Sequence, residues 1–172
     1  MTTFLSNRDI YTSVVCGIVP QARERLWIAT ADMKDMYVDS GGREMVPFLE
    51  VLEGVVKRGI EVRLIHAKDP GPNWRDDFDR YPTLWTAMER VLCPRVHFKI
   101  LVFDCQEVYI GSANLTGAGI GMKAETTRNF EAGILSDEPE IVEQVMNQFD
   151  DVWIGKHCKK CKRRDFCPDP IA

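Results

Sequence analysis

The chain has 172 residues, 45% hydrophobic and 28% charged, the composition of one folded domain with a hydrophobic core and not of a disordered segment. A net charge of −4 provides no global basic footprint, so any nucleic-acid binding has to use a local patch. No apolar run approaches membrane-spanning length, and the N-terminus lacks the basic-then-apolar order of a signal peptide. The expectation is a cytoplasmic protein with no membrane contact.

Ser6-Asn7-Arg8-Asp9 reads as a capping box opening a helix, and Ile10, Tyr11, Val14, Val15, Ile18 and Val19 follow at helical spacing. Leu26 to Ala31 is an apolar run of strand length. Gly41-Gly42 breaks the chain. A second amphipathic helix carries Met45, Phe48, Leu49, Leu52, Val55 and Val56 and ends at Arg58-Gly59. Ile60 to Ile65 is the next strand. Lys68 to Asn73 is a loop by composition, and a helix covers Asp76 to Val91 with an interruption near Pro82.

Arg95 to Phe103 and Glu107 to Gly111 read as two strands joined by a tight turn at Asp104-Cys105-Gln106. Ala113 to Thr127 is a loop whose Gly117, Gly119 and Gly121 suit a mobile rim and do not form a dinucleotide fingerprint. Asn129 to Leu135 is a strand. Glu138 to Trp153 is a last amphipathic helix, with Ile141, Val142, Val145, Phe149 and Val152 on one face. Trp27, Trp85 and Trp153 fall inside elements and are expected in the core, whereas Trp74 falls in a polar loop and His66 at a strand end on the surface. This order predicts an α/β/α sandwich with a mixed β-sheet over residues 1–154, followed by a Cys-rich basic tail over 155–172.

The chemistry concentrates in His97-Phe98-Lys99-Ile100-Leu101-Val102-Phe103-Asp104, followed by Gly111-Ser112-Ala113-Asn114. Strand side chains alternate, so His97 and Lys99 share one face while Phe98, Ile100 and Val102 enter a core on the other. An otherwise apolar strand has no structural use for an imidazole beside an ammonium, but a phosphate does. Lys99 would neutralise its oxygens and His97 would attack phosphorus. Asp104 falls on the opposite face and takes a supporting role at the strand end. A hairpin brings Gly111 to Asn114 back beside His97, where glycine lets a ligand approach and Ser112 and Asn114 offer neutral donors. Asn129 and Glu131 share a face of the following strand, and Glu131 is placed to hydrogen-bond the second ring nitrogen of His97.

These residues spell H-x-K-x4-D-x6-G-S-x-N, and the chain resembles the phospholipase D superfamily, whose HKD signature this is. The five positions through Gly-Ser match by chance in on the order of 10⁻⁴ of chains this size. The resemblance spans roughly residues 6 to 153. It implies metal-independent phosphodiester cleavage with no catalytic cofactor: His97 forms a phosphohistidine, a second histidine protonates the leaving oxygen, Lys99 and Asn114 bind phosphate oxygens, Ser112 supports them, and Glu131 orients His97.

In-line displacement puts nucleophile and leaving group on opposite sides of phosphorus, beyond the reach of one imidazole. The chain carries a single motif, and His66 and His157 match no second one. A two-fold homodimer that brings two His97 side chains together answers this demand. It also predicts a bell-shaped pH profile, since one ring must be neutral and the other protonated.

The tail contains Cys158, Cys161 and Cys167 in a C-x2-C-x5-C pattern among Lys156, Lys159, Lys160, Lys162, Arg163 and Arg164. In a reducing compartment three such thiols suggest a structural metal: zinc first, an iron–sulfur cluster second, since the triplet is similar to that of RecB-type nucleases. The fourth ligand is His157, its neighbour in sequence, or a distant Cys16 or Cys93. Three functions follow from these features. They are a nuclease on DNA or RNA, favoured by small size, the single motif and the basic tail; a lipid phosphodiesterase; and a non-catalytic nucleic-acid-binding module on the same fold.

Overall fold

The computed structural model describes residues 1–34, 36–39, 41, 44–68 and 71–171. Gly42 of the expected chain break, and Asp69 and Pro70 of the expected loop, lie outside them. Nine strands occur among the described residues: β1 (Thr2–Ser6), β2 (Arg25–Thr30), β3 (Tyr37–Asp39), β4 (Met45–Pro47), β5 (Glu61–His66), β6 (Met88–Leu92), β7 (Lys99–Phe103), β8 (Glu107–Gly111) and β9 (Ala132–Ser136). A π-helix, Ile10–Ile18, follows β1, and four α-helices are interleaved: α1 (Phe48–Lys57), α2 (Pro72–Phe78), α3 (Pro82–Ala87) and α4 (Pro139–Trp153). Seven strands form one sheet in the order β1-β9-β8-β7-β2-β5-β6, and β3 pairs with β4 separately. The β2-β5-β6 side is parallel and the remainder antiparallel. The α/β class and the mixed sheet expected from the sequence are therefore present.

Alternation along the strands sorts the core into two layers. Leu26, Ile28, Val62, Leu64, Leu101 and Phe103 face the π-helix, α1, α2 and α3. Trp27, Ala29, Ile65, Ile100, Val102 and Val108 face Val142, Val145 and Phe149 of α4. Trp27 stacks on Phe149 at 5.1 Å, and the Arg63 guanidinium lies over Trp27 and Trp153 at 5.0 and 5.1 Å. This cluster locks α4 onto the back of the strand that leads from the site.

Several local expectations are corrected. Ser6-Asn7-Arg8-Asp9 is not a capping box: Ser6 ends β1, Asn7 turns the chain with φ 48°, and no side chain caps the π-helix. The helix expected over 76–91 is two short helices and then β6, because Met88 to Leu92 completes the parallel edge beside β5. Trp74 is buried in α2 and stacks on Phe78 at 4.6 Å instead of lying in a polar loop, while Trp85 is half exposed at the edge of the same cluster. His66 is buried at the end of β5, not at the surface.

Candidate active site

The strand register builds the site. Leu5, Gly133, Gly111 and Lys99 are successive cross-strand partners, and Thr30, His66 and Leu92 continue on the far side. The β2–β7 pairing, extended by one residue, sets Thr30 beside Lys99. Lys99, Thr30 and His66 thus form a polar row at the carboxyl end of parallel β2 and β5, the place where open α/β sheets bind ligands. All three are buried.

His97 precedes β7 by two residues and is exposed. Lys99 is only 5% exposed; its Nζ donates to the His97 carbonyl oxygen at 2.7 Å and stands 3.5 Å from His97 Nδ1. Burial pulls the Lys99 ammonium below its ordinary pKa, and the Glu131 carboxylate acts in the opposite direction. An imidazole open to solvent and a buried cation therefore share one edge of the sheet. Phe98, Ile100 and Val102 occupy the opposite, α4-facing core as expected.

Asn114 is fixed by a residue that sequence reasoning missed. Its Oδ1 accepts from the Asp32 backbone N–H at 3.2 Å and lies 3.3 Å from the Thr30 hydroxyl. Thr30 Oγ1 donates to the Asp32 carbonyl at 2.8 Å and accepts from Leu115 N at 3.3 Å. Since Oδ1 is committed as an acceptor, the Nδ2 amide is the donor end that Asn114 can offer an anion. The one available signal was a hydroxyl at the close of the apolar run beginning at Leu26.

Ser112 and Glu131 are brought together, but not onto His97. The Ser112 hydroxyl donates to Glu131 Oε2, and Asn129 Nδ2 donates to Oε1 at 3.1 Å, so both carboxylate oxygens are engaged. The expected hydrogen bond, with Glu131 accepting from the His97 ring, is not made within one chain. Asn7, also missed, holds Glu131 by its backbone: Asn7 Oδ1 accepts from Glu131 N at 3.0 Å, and Asn7 N donates to Glu131 O at 2.9 Å. Asn129 and Glu131 precede β9 and are not part of it.

Two glycines have packing roles that the sequence did not show. A Cβ on Gly111 would strike the buried Tyr109 hydroxyl, with the ring carbon Cζ at 2.6 Å, so this glycine makes room for a tyrosine. Gly121, at φ 88°, is pressed against the Asn7 carbonyl, and Arg8 donates to the Met122 carbonyl at 2.7 Å. The 113–127 loop is thereby tied to the Asn7 turn instead of forming a loose rim.

Asp104 lies at the far end of β7 from His97, roughly 20 Å away by strand rise. Its carboxylate accepts backbone N–H groups from Arg23 (3.1 Å), Glu24 (2.8 Å) and Arg25 (3.0 Å). Although the motif groups it with the catalytic residues, it hydrogen-bonds none of them and pins the start of β2 to the β7–β8 turn.

In the tail, Cys158, Cys161 and Cys167 are unpaired by disulfides and partly buried. His157 is largely exposed and stands 4.0 Å from Asp151. Lys156 pairs with Asp151 at 2.8 Å, and Lys159, Lys160 and Lys162 are exposed.

The family model described as the PLD-like domain of cardiolipin synthase matches residues 15–153. The chain belongs to this family of PLD-like domains, within the phospholipase D superfamily. Its fold is similar to that of NucT from Helicobacter pylori, with 17% identity, a TM-score of 0.64, and 88% of this chain and 94% of that one covered. It is equally similar to Nuc from Salmonella typhimurium, a phospholipase D family member, with 15% identity, a TM-score of 0.64, and coverage of 89% and 95%. The archaeal chromatin protein TrmBL2, which binds DNA, shares 12% identity with a TM-score of 0.61 over 88% of this chain and 51% of that one. No curated protein matches the chain. No helix among the described residues is long and apolar enough to cross a membrane.

Proposed function

We propose that the chain is a phosphodiesterase that cleaves DNA or RNA through a covalent phosphohistidine on His97, in an active site shared by two copies of the chain. The observation that carries this reading is the exposed His97 imidazole beside the buried Lys99 ammonium, 3.5 Å from its Nδ1. A buried cation attracts a phosphodiester more strongly than a hydrated one, and it costs no reorganisation as charge builds on the phosphoryl oxygens. The Nδ2 amide of Asn114, held from behind by Asp32, adds a neutral donor. Glu131 positions Ser112.

In the first step a His97 ring nitrogen attacks phosphorus, the bond to the leaving oxygen breaks, and the partner's His97 gives that oxygen a proton. In the second, the same partner ring takes a proton from water, the hydroxide attacks phosphorus, and the P–N bond breaks. The structural likeness to Nuc and NucT over nearly their whole length supports a nucleic-acid substrate, as do the exposed tail lysines. The decisive assay incubates labelled single- and double-stranded DNA and RNA, beside phospholipid vesicles, in EDTA. Nucleic-acid cleavage that disappears in His97→Ala, with acid-labile label trapped on the wild-type protein, is the expected result. Turnover of phospholipid alone, or tight nucleic-acid binding without cleavage, would overturn it.

A further inference from the structure

The tail is not a loose appendage. Its two short turns, Cys158–Lys160 and Arg164–Phe166, fold back on the segment that leaves β6. Asp169 accepts from Leu92 N at 3.4 Å, Arg163 donates to the Pro94 carbonyl at 3.4 Å, and Cys167 Sγ lies 3.8 Å from the Leu92 carbonyl. The Arg95 guanidinium reaches Cys161 Sγ at 3.8 Å, and Arg164 closes the end of the chain on the Ile171 carbonyl at 2.9 Å. These contacts border a cavity of about 280 Å³ between the tail, the end of α4 and the segment from Val91 to Val96 with Phe98.

Four of the six cysteines line this one cavity: Cys93, Cys158, Cys161 and Cys167. The other two are elsewhere, Cys16 against the first core and Cys105 in the β7–β8 turn. We propose that Cys93 completes the C-x2-C-x5-C triplet as the fourth ligand of a tetrathiolate metal site. Four thiolates suit zinc or an iron–sulfur cluster, the soft centres that take an all-sulfur tetrahedron. Cys93 is the better fourth ligand than His157, because it lines the same cavity from a segment separate from the tail. His157 adjoins Cys158 in the chain and leans on Asp151.

Among the described residues no three cysteine, histidine or acidic side chains are already gathered at ligand distance. Binding therefore draws the thiols inward across the cavity and releases their protons, so metal uptake is coupled to ordering of the tail. Cys93 opens the segment that runs through Phe98 into Lys99. The metal consequently clamps the basic tail to the approach of the catalytic strand, which gives it a structural role distinct from the phosphodiester chemistry.

The full-length protein, purified anaerobically without chelator, is analysed for zinc and iron and by visible absorption. About one zinc per chain without colour, or iron and sulfide with a thiolate charge-transfer band, supports the site and separates the two occupants. Cys93→Ser and Cys161→Ser should each lose most of the metal, while Cys16→Ser and Cys105→Ser retain it. Alkylation of the native protein should spare four thiols that become reactive after chelation, a readout that does not require any variant to fold. Neither metal after anaerobic reconstitution, or full retention in Cys93→Ser, would overturn the assignment.

Discussion

The Thr30 hydroxyl lies 3.3 Å from Asn114 Oδ1, yet its single proton is directed to the Asp32 carbonyl at 2.8 Å. Thr30 therefore fixes the chain at Asp32, whose N–H in turn fixes the Asn114 amide. Thr30→Val keeps the shape and deletes the hydroxyl, leaving the Leu115 N–H and the Asp32 carbonyl without it. The expected cost is about 1–3 kcal/mol in denaturant unfolding. A fall in kcat of roughly tenfold or more should accompany it as Asn114 loses its orientation. Thr30→Ser should restore most of both. Unchanged kcat in a folded Thr30→Val protein would mean that Asn114 is not held this way.

Asp104 should matter for stability and not for chemistry. Burial acts to raise its pKa, but the N–H donors of Arg25, Glu24 and Arg23 outweigh that and hold the carboxyl below its ordinary value. A depressed carboxylate contributes stability that is present above the unfolded pKa of about 3.9 and is lost as pH falls through the folded value. Asp104→Ala should cost about 1–3 kcal/mol near neutral pH, Asp104→Asn less, and the gap between wild type and Asp104→Asn should close in acid. Activity per folded molecule should be unchanged in both. A selective loss of kcat at wild-type stability would return Asp104 to the catalytic group.

How much of this was legible in the sequence depends on where each residue finds its partners. His97 and Lys99 were readable because a two-residue spacing in extended chain keeps them neighbours, although His97 itself lies just before β7 and not in it. The hairpin made Gly111 readable as the partner of Lys99, whereas Asn114, three residues beyond β8, takes its orientation from Asp32 and Thr30. Glu131 was not readable, since its distances to His97 and Ser112 are both tertiary, and the partners it takes are Ser112 and Asn129. β1 escaped notice because it is an edge strand with only Leu5 buried. Met88 to Leu92 contains good helix formers and becomes a strand only through pairing with β5.

Gly111 tests whether the glycine of the motif serves the ligand or the fold. Gly133 is its strand partner, and a Cβ there would sit 2.6 Å from Tyr109 Cε2. Both glycines thus make room for one buried ring beneath the site. Gly111→Ala should destabilise by about 1–3 kcal/mol through overpacking. In the double variant with Tyr109→Leu the penalty of the added methyl should shrink, since the obstructing ring atoms are gone. Strict additivity in unfolding experiments would show that the methyl clashes with something other than Tyr109.

Shared catalysis has a signature in mixed assemblies. If each phosphorus needs one His97 to attack and another to give and take protons, a dimer of one wild-type and one His97→Ala chain has no complete site. Subunits mixed by co-refolding, with total protein constant, should then show activity falling as the square of the wild-type fraction, to about one quarter in an equal mixture. Independent sites in each chain would give a linear decline instead, to about one half. The quadratic curve requires random exchange, which differently tagged subunits recovered in the statistical ratio would verify. Dilution supplies a second arm: specific activity should drop with concentration along the same curve as dimer mass. A linear mixing curve with verified exchange would leave one chain sufficient, and the proton donor would have to be sought within it.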